Sequence, residues 1–266
     1  RIIDHVCSDA DGLLACGTTG EAPTLSAREW RAVVEATVAA AGDLPVLAGT
    51  GTNSTASTIE RTRMAADLGA AGALVVVPYY NKPTQAGMLK HFELIASASE
   101  LPLLLYNIPG RTGVNMDAAT VLTLSRIPSI IGIKEASGCL NQVSEIIAGT
   151  DAESFSVLSG DDSLTLPILA VGGQGVISTA ATAAPAHMSA ITTSWDAGRI
   201  DDARRAHLRL LPLFRQLFVE TNPAPVKAAL AMQGLCGDEV RPPLAPLSRH
   251  HRGELARILA ALEVLR

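Results

Sequence analysis

Short apolar runs alternate with longer Ala-rich helical patterns at a repeat of about 30 residues. That alternation points to a TIM (β/α)8 barrel, here followed by a C-terminal helical appendage. Each run reads as a buried parallel strand and each pattern after it as the crossover helix. The competing architecture is an open doubly wound sheet. Against it, the first run leads into Gly17-Thr18-Thr19-Gly20-Glu21, whose two glycines have the wrong spacing for a dinucleotide loop, and no helix starts before Ser26.

Taken in order, Ile2-Ile3-Asp4-His5-Val6 reads as the last turns of a helix, which Asp11-Gly12 ends. The strand candidates are residues 12–16, 45–48, 73–77, 103–106, 130–134, 156–158 and 175–177. Seven are visible, so the barrel's first strand is expected to be missing from the chain and to lie upstream. Ser26-Ala27-Arg28-Glu29 is a capping box, and the helix it starts should run to about Ala41, where Gly42 stops it. Helical patterns over 54–68, 84–99 and 117–125 follow. After Ser178 the pattern is helical only. Residues 181–197 can close the barrel, and 201–220, 224–234 and 249–265 exceed what a barrel needs. The expected division is residues 1–198 for the barrel and 199–266 for the helical region.

Composition excludes several classes of function. A net charge of −5 with both signs interspersed leaves no basic face for nucleic acid, and 3% aromatic residues leave no stacking platform. No apolar run approaches the roughly 20 residues of a membrane span, and the opening residues do not read as a signal peptide. Cys7, Cys16, Cys139 and Cys236 lack disulfide or metal-ligand spacing, which fits reduced thiols in the cytoplasm. All six histidines fall in helical patterns or the tail, which argues against a zinc site or histidine-based hydrolysis. No metal is expected.

The chemistry-bearing residues collect where strands end, which in a barrel is the active-site rim. Lys134 closes Ile130-Ile131-Gly132-Ile133-Lys134, whose apolar residues carry it toward a core. A buried ammonium loses hydration, its pKa falls, and the neutral amine can form a Schiff base with a carbonyl. The alternative is a strand-end lysine that snorkels to water. Tyr106 ends the preceding strand and could shuttle protons at an imine, with Thr18 and Tyr80 as relay hydroxyls, or it could be a core aromatic. Tyr79 and Tyr80 could equally belong to an interface. Gly17-Thr18-Thr19-Gly20 could hold an anion on backbone N–H groups and hydroxyls, or be an ordinary tight turn. Arg111, in the turn after Tyr106, could clamp a carboxylate or be a solvated loop residue. Asp161 and Asp162 read as a helix N-cap rather than metal ligands.

Assembled, these motifs resemble the dihydrodipicolinate synthase and N-acetylneuraminate lyase family of class I aldolase-type barrels. The resemblance runs from about His5 to the C-terminus. It rests on Gly17-Thr18-Thr19-Gly20-Glu21, Pro78-Tyr79-Tyr80, Tyr106-Asn107-Ile108-Pro109-Gly110-Arg111-Thr112-Gly113, Gly132-Ile133-Lys134-Glu135-Ala136, Ser159-Gly160-Asp161-Asp162 and Asn222-Pro223-Ala224-Pro225-Val226-Lys227. The resemblance implies that Lys134 forms an imine with pyruvate and that Tyr106, Thr18 and Tyr80 form the hydroxyl relay, with Tyr80 donated across a tight dimer interface. Thr19 would bind the pyruvate carboxylate, Arg111 the carboxylate of aspartate 4-semialdehyde, and Gly160 and Ile177 would line the pocket. Paired threonines in the glycine loop resemble the synthase branch rather than the sialic-acid lyases. The implied reaction is condensation of pyruvate with aspartate 4-semialdehyde in lysine biosynthesis, needing no organic cofactor or metal, in a homotetramer built from two tight dimers.

A sister lyase that cleaves a 2-keto-3-deoxy acid to pyruvate would share the imine chemistry, and a non-catalytic barrel that binds or regulates is the reading from another class. The resemblance also bears on feedback by lysine. Where lysine-inhibited relatives carry two histidines and a glutamate, this chain has Ala27, Trp30 and Ser57, while Asn53 and Tyr79 match. Weak or absent inhibition is expected.

Overall fold

The computed structural model describes residues 1–265. One sheet holds β1 (Leu13–Ala15), β2 (Val46–Gly49), β3 (Gly72–Val76), β4 (Leu103–Asn107), β5 (Ile130–Glu135), β6 (Ser156–Ser159) and β7 (Gly175–Val176). All pairings are parallel and the strands lie in sequential order from β1 to β7. An order that never reverses is a barrel-type winding, because a doubly wound sheet reverses at its switch point. β1 and β7 are the two ends, and no further strand among the described residues pairs with either.

The helices before the sheet ends are α1 (Ile2–Val6), α2 (Ala27–Ala40), α3 (Thr55–Asp67), α4 (Gln85–Ala98), α5 (Pro109–Thr112), α6 (Ala118–Leu124), α7 (Leu140–Gly149) and α8 (Thr165–Ala170). After it come α9 (Ala180–Ala183), α10 (Pro185–Asp196), α11 (Ile200–Gln216), α12 (Ala224–Met232) and α13 (Arg249–Ala261). The capping box forms as expected. The Ser26 side chain accepts from the Glu29 N–H, and the Glu29 carboxylate accepts from the Ser26 N–H at 2.9 Å. Ser54 and Thr84 cap α3 and α4.

The helical region departs from the sequence pattern in one informative place. The expected helix over 181–197 is two helices. Pro185 has no N–H to continue the ladder and forces the residue before it out of the helical region, so Ala184 sits at φ −141° and ψ 63°. The patterns over 201–220 and 249–265 end early, at Gln216 and Ala261. α7 and α8 are short crossover helices that periodicity did not single out.

Two apolar layers flank the strands. The outer layer joins Val75, Leu103, Leu105, Ile130, Ile133 and Val157 to helix residues such as Trp30, Phe92 and Ile95. The inner layer holds Leu74, Leu104 and Tyr106, with Leu14, Leu47, Val76, Leu158 and Ile177 against them. Ile130 and Ile133 both face outward, which strict alternation forbids for residues three apart. A register shift resolves this. Leu103 pairs with Ile130 but Leu104 pairs with Gly132, so Ile131 is an extra residue in β5. The bulge reverses the phase of everything after it, and Gly132 and Lys134 therefore face inward. A third cluster joins Leu169, Ala183 and Met188 to Leu213, Val226 and Leu259, packing α11–α13 onto the end of the barrel.

Gly132 gives this sheet a direct test. A Cβ there would stand 2.3 Å from the Ser156 carbonyl oxygen and 2.9 Å from Leu104 Cδ1. Gly132→Val must push β5 from β6, and a loss of about 3 kcal/mol in urea unfolding is expected. A change below about 0.5 kcal/mol would show that the strands are not so closely paired.

Candidate active site

Lys134 sits one residue from the end of β5, and its register partner on β4 is Tyr106. Register partners in a parallel sheet project to the same face, so the two side chains stand beside each other on the inner face. Lys134 Nζ lies 4.5 Å from the centroid of the Tyr106 ring. On the other flank, Gly160 follows β6. A Cβ at Gly160 would meet Lys134 Cγ and Cε at 3.0 Å and Ala136 Cβ at 2.8 Å, so glycine is what lets the lysine stem pass. Ile177, just after β7, belongs to the same inner layer as Tyr106.

Lys134 is half-buried as a residue, and protein surrounds its amine. Burial lowers its pKa from 10.5 to about 8, the Arg111 charge adds to the decrease, and the Asp162 charge opposes it. The Tyr106 phenol moves the other way. Burial raises its pKa, against the opposing effects of the Arg111 charge and a hydrogen bond with Thr18. A neutral phenol thus lies beside an amine that can lose its proton near neutral pH. That is the arrangement needed to form an imine and move protons around it.

Asp162 is a neighbour that the sequence pattern undervalued. Asp161 does cap the turn that follows, accepting from the Ser163 N–H at 2.8 Å. Asp162 is buried instead. Its Oδ2 accepts from the Ala180 N–H at 2.9 Å, and Oδ1 is buried without a partner. Burial raises its pKa, while Ser178, the Ala180 N–H and Lys134 favour the carboxylate. The Asp-Asp doublet after a strand was the available signal, but it could not say which of the two turns inward.

The residues following the pair are held by a second buried network. Asn107 and Glu135 are themselves register partners. Glu135 accepts from Asn107 Nδ2 at 3.1 Å, from the Ser137 N–H at 2.6 Å and from Gln142 Nε2 at 3.3 Å. Asn107 Oδ1 accepts from the Met116 N–H at 3.0 Å. This places a satisfied buried carboxylate directly behind Lys134 on the opposite face.

The Gly17–Glu21 segment forms a short 3-10 turn over Thr18–Gly20. Its own hydrogen bonds use the N–H groups of Gly20 and Glu21, which donate to Gly17 and Thr18 at 3.1 Å each. Thr18 reaches the Tyr106 phenol. Thr19 Oγ1 accepts from Asn222 Nδ2 at 3.0 Å. Arg111 lies in the last turn of α5, exposed, with its charge acting on both Tyr106 and Lys134.

The structure therefore gathers Lys134, Tyr106, Thr18, Gly160 and Arg111, with Ile177 on the same face. Tyr80 follows β3, where its N–H donates to the Thr112 carbonyl at 3.3 Å beside Arg111, and its side chain is open to solvent. It is 88% exposed, with a left-handed φ of 72°. The histidines lie in α1, α4, α10, α11 and α13, away from the strand ends. Among the described residues, no group of three or more His, Cys, Asp or Glu side chains could hold a metal ion.

The model of the family described as the dihydrodipicolinate synthetase family matches residues 1–262. The 4-hydroxy-tetrahydrodipicolinate synthase of Thermomicrobium roseum is 52% identical over 258 residues, which are 97% of this chain and 84% of that protein. Dihydrodipicolinate synthase from Thermotoga maritima superposes with a TM-score of 0.98 at 38% identity, covering 100% of this chain and 92% of the other. The chloride-inhibited enzyme from Acinetobacter baumannii, complexed with pyruvate, gives 0.96 at 40% identity, covering 99% and 91%.

The buried amine should cost stability in a definite pH window. The folded state holds Lys134 near 8, whereas an unfolded lysine titrates at 10.5. The unfolded chain binds the proton more tightly, so stability rises with pH between those two values. Below pH 8 the full penalty applies, on the order of 3 kcal/mol. Lys134→Met is accordingly expected to be more stable than the parent at pH 6.5, with the difference shrinking above pH 8. Thermal melts of both proteins across that range check this. A constant difference would show that the amine is not buried at a cost.

Proposed function

Because the chain belongs to the dihydrodipicolinate synthetase family, we propose that Lys134, Tyr106 and Thr18 perform its chemistry on a pyruvate imine. The protein is a class I lyase of lysine and diaminopimelate biosynthesis, a 4-hydroxy-tetrahydrodipicolinate synthase. It condenses pyruvate with aspartate 4-semialdehyde, with loss of one water.

In our reading, the pyruvate carboxylate rests against Thr19 and the adjacent backbone of the glycine loop, and Gly160 and Ile177 wall the pocket. The neutral Lys134 amine attacks the keto carbon, and the carbinolamine expels water to give the imine. Tyr106 supplies and removes protons through Thr18, and loss of a methyl proton gives the enamine. The enamine carbon then attacks the aldehyde of aspartate 4-semialdehyde, whose carboxylate pairs with Arg111. Attack by that substrate's amine on the imine carbon closes the ring and frees Lys134. The protonated imine is the electron sink for these steps, so the reading calls for no cofactor.

One observation carries this assignment: Lys134 Nζ lies 4.5 Å from the Tyr106 ring, on the inner face and at the carboxyl ends of the strands. The relatives' names favour the synthase over a lyase for keto-deoxy acids. We read Tyr80 as completing the relay in a neighbouring subunit, within a homotetramer of two tight dimers. Its exposure and strained backbone suit a residue that a partner covers. A cytoplasmic setting fits the four free cysteines, and no helix among the described residues is long and apolar enough to cross a membrane. We treat residues 1–198 as an eight-stranded barrel's portion and 199–266 as the helical region that braces it.

Borohydride reduction in the presence of pyruvate should leave a covalent adduct on Lys134, located by peptide mass spectrometry. Its yield at short times should rise with pH through about 8, where the amine loses its proton. Absence of an adduct at every pH would refute the assignment. Condensation with aspartate 4-semialdehyde should exceed cleavage of any keto-deoxy acid in a substrate panel. Added lysine should inhibit weakly. Trp30 is a buried core residue whose indole donates to the Gly49 carbonyl at 3.0 Å, and Ala27 and Ser57 carry no charge. Strong inhibition by micromolar lysine would overturn that expectation.

A further inference from the structure

The glycine loop is tied to the last quarter of the chain by contacts that the chemistry above does not use. The 3-10 turn belongs to no sheet ladder, and Glu21 closes it in the left-handed region at φ 55°. Its side-chain orientation must therefore come from outside. Asn222, which is 4% exposed, donates from Nδ2 to Thr19 Oγ1 at 3.0 Å. Lys227, five residues later on α12, pairs with Glu21 Oε1 at 2.8 Å. The other Glu21 oxygen accepts from the Arg241 N–H at 2.7 Å. Both Lys227 and Glu21 are mostly covered, so the pair is not of the exposed kind that contributes little.

A threonine hydroxyl has one proton and two lone pairs. Asn222 fills one lone pair, so the Thr19 proton is left to point elsewhere. We propose that Asn222 and Lys227 are positioning residues that fix the Gly17–Glu21 loop so that the Thr19 hydroxyl donates to the carboxylate of the bound keto acid. Asn222 sets the direction of the proton, and Lys227 holds the loop's far end at Glu21. One helix start carries both, so the loop is held as a unit. The identity of the keto acid rests on the function proposed above; the clamp itself is read from the contacts.

The test is a pyruvate titration of borohydride trapping on the full chain, comparing the parent with Asn222→Asp, Lys227→Met and Lys227→Arg. Asn222→Asp is nearly isosteric but offers only acceptors, so it turns the Thr19 proton away from the substrate. The half-saturating pyruvate concentration should rise about tenfold in Asn222→Asp and Lys227→Met, the factor carried by a hydrogen bond to a charged group. Trapping at saturating pyruvate should be retained, because Lys134 is untouched. KM for aspartate 4-semialdehyde should not change, and Lys227→Arg should restore most of the pyruvate affinity. An unchanged half-saturation in both variants overturns the proposal. So does a parallel loss of saturating trapping and of both substrate affinities in a protein that melts normally, which marks a merely structural tie. If Lys227→Met does not fold, Asn222→Asp decides alone. A parent that fails to trap pyruvate refutes the assigned function; a parent that traps it, with variants indistinguishable from it, refutes only the clamp.

Discussion

The pairing of Tyr106 with Lys134 across β4 and β5 governs the rest of the site, and it depends on one extra residue. Side chains alternate along a strand, so a strand that begins with Ile130 facing the helices would place Lys134 among them as well. There its ammonium would meet the apolar outer layer that includes Phe92 and Leu105. The bulge at Ile131 reverses the alternation. After it, Ile133 takes the outward position and Lys134 the inward one. The same shift places Glu135 outward, where Asn107, Ser137 and Gln142 fill its acceptor sites. A basic group and an acidic group adjacent in sequence thus reach opposite faces, each with the surroundings it needs. Bulges commonly re-aim a side chain near active sites, and this one selects which charge the pocket receives.

The electrostatic balance at the amine follows from that placement. Burial alone pushes the amine toward its neutral form, and Arg111 acts in the same direction from the rim. The Asp162 charge acts the other way, although burial raises the pKa of that carboxyl against the opposing effects of Ser178, the Ala180 N–H and Lys134. A lysine with no acidic neighbour would remain neutral more readily, but its imine, which is cationic when protonated, would be less well stabilised. A lysine in full contact with a carboxylate would stay protonated and could not attack. The intermediate arrangement suits a group that must be nucleophile first and carry a cationic imine afterward. Arg111 adds positive charge at an exposed point of the rim, where we propose a substrate carboxylate arrives.

Much of this was legible in the sequence, for physical reasons that differ between elements. The seven strands were visible because buried parallel strands are short uninterrupted apolar runs, and their observed ends lie within a residue or two of those runs. The capping box at Ser26 and Glu29 is a local signal, complete within four residues, and it formed as read. Lys134 and Tyr106 were recognisable because both end apolar runs. Apolar neighbours alone do not carry Lys134 into the core: Ile130 and Ile133 face the helix layer, and the bulge brings the lysine inside. Gly132 within the apolar run is a local hint of a bulge or of a close backbone approach, but which residue is extra is set by the pairing with β4. Asp162 was read as part of a cap for the same reason, since its inward turn depends on Ala180 from a later element. The split at Ala184 and Pro185 has a local signal, the proline itself, inside a longer helical pattern.

The contacts around the glycine loop were the least accessible to a local reading, and they bear on how the site is completed. Thr19 and Asn222 are separated by 203 positions, and Glu21 and Lys227 by 206. Contacts at such separation leave no local pattern in the sequence, since they depend on how the intervening elements pack. The Lys134–Tyr106 pair has the opposite character: two adjacent strands make it, joined by a single crossover helix. Lys134 and Tyr106 are brought together by the sheet alone, whereas the glycine loop, which we propose meets the substrate carboxylate, has side-chain ties that only α12 and the residues flanking it supply. The helical region packs through its own apolar cluster with α9 and α10, so its docking is driven by burial and not by the polar ties it delivers. Hydrophobic packing of the appendage thereby supplies the rigidity that a short 3-10 turn of glycine and threonine cannot provide for itself.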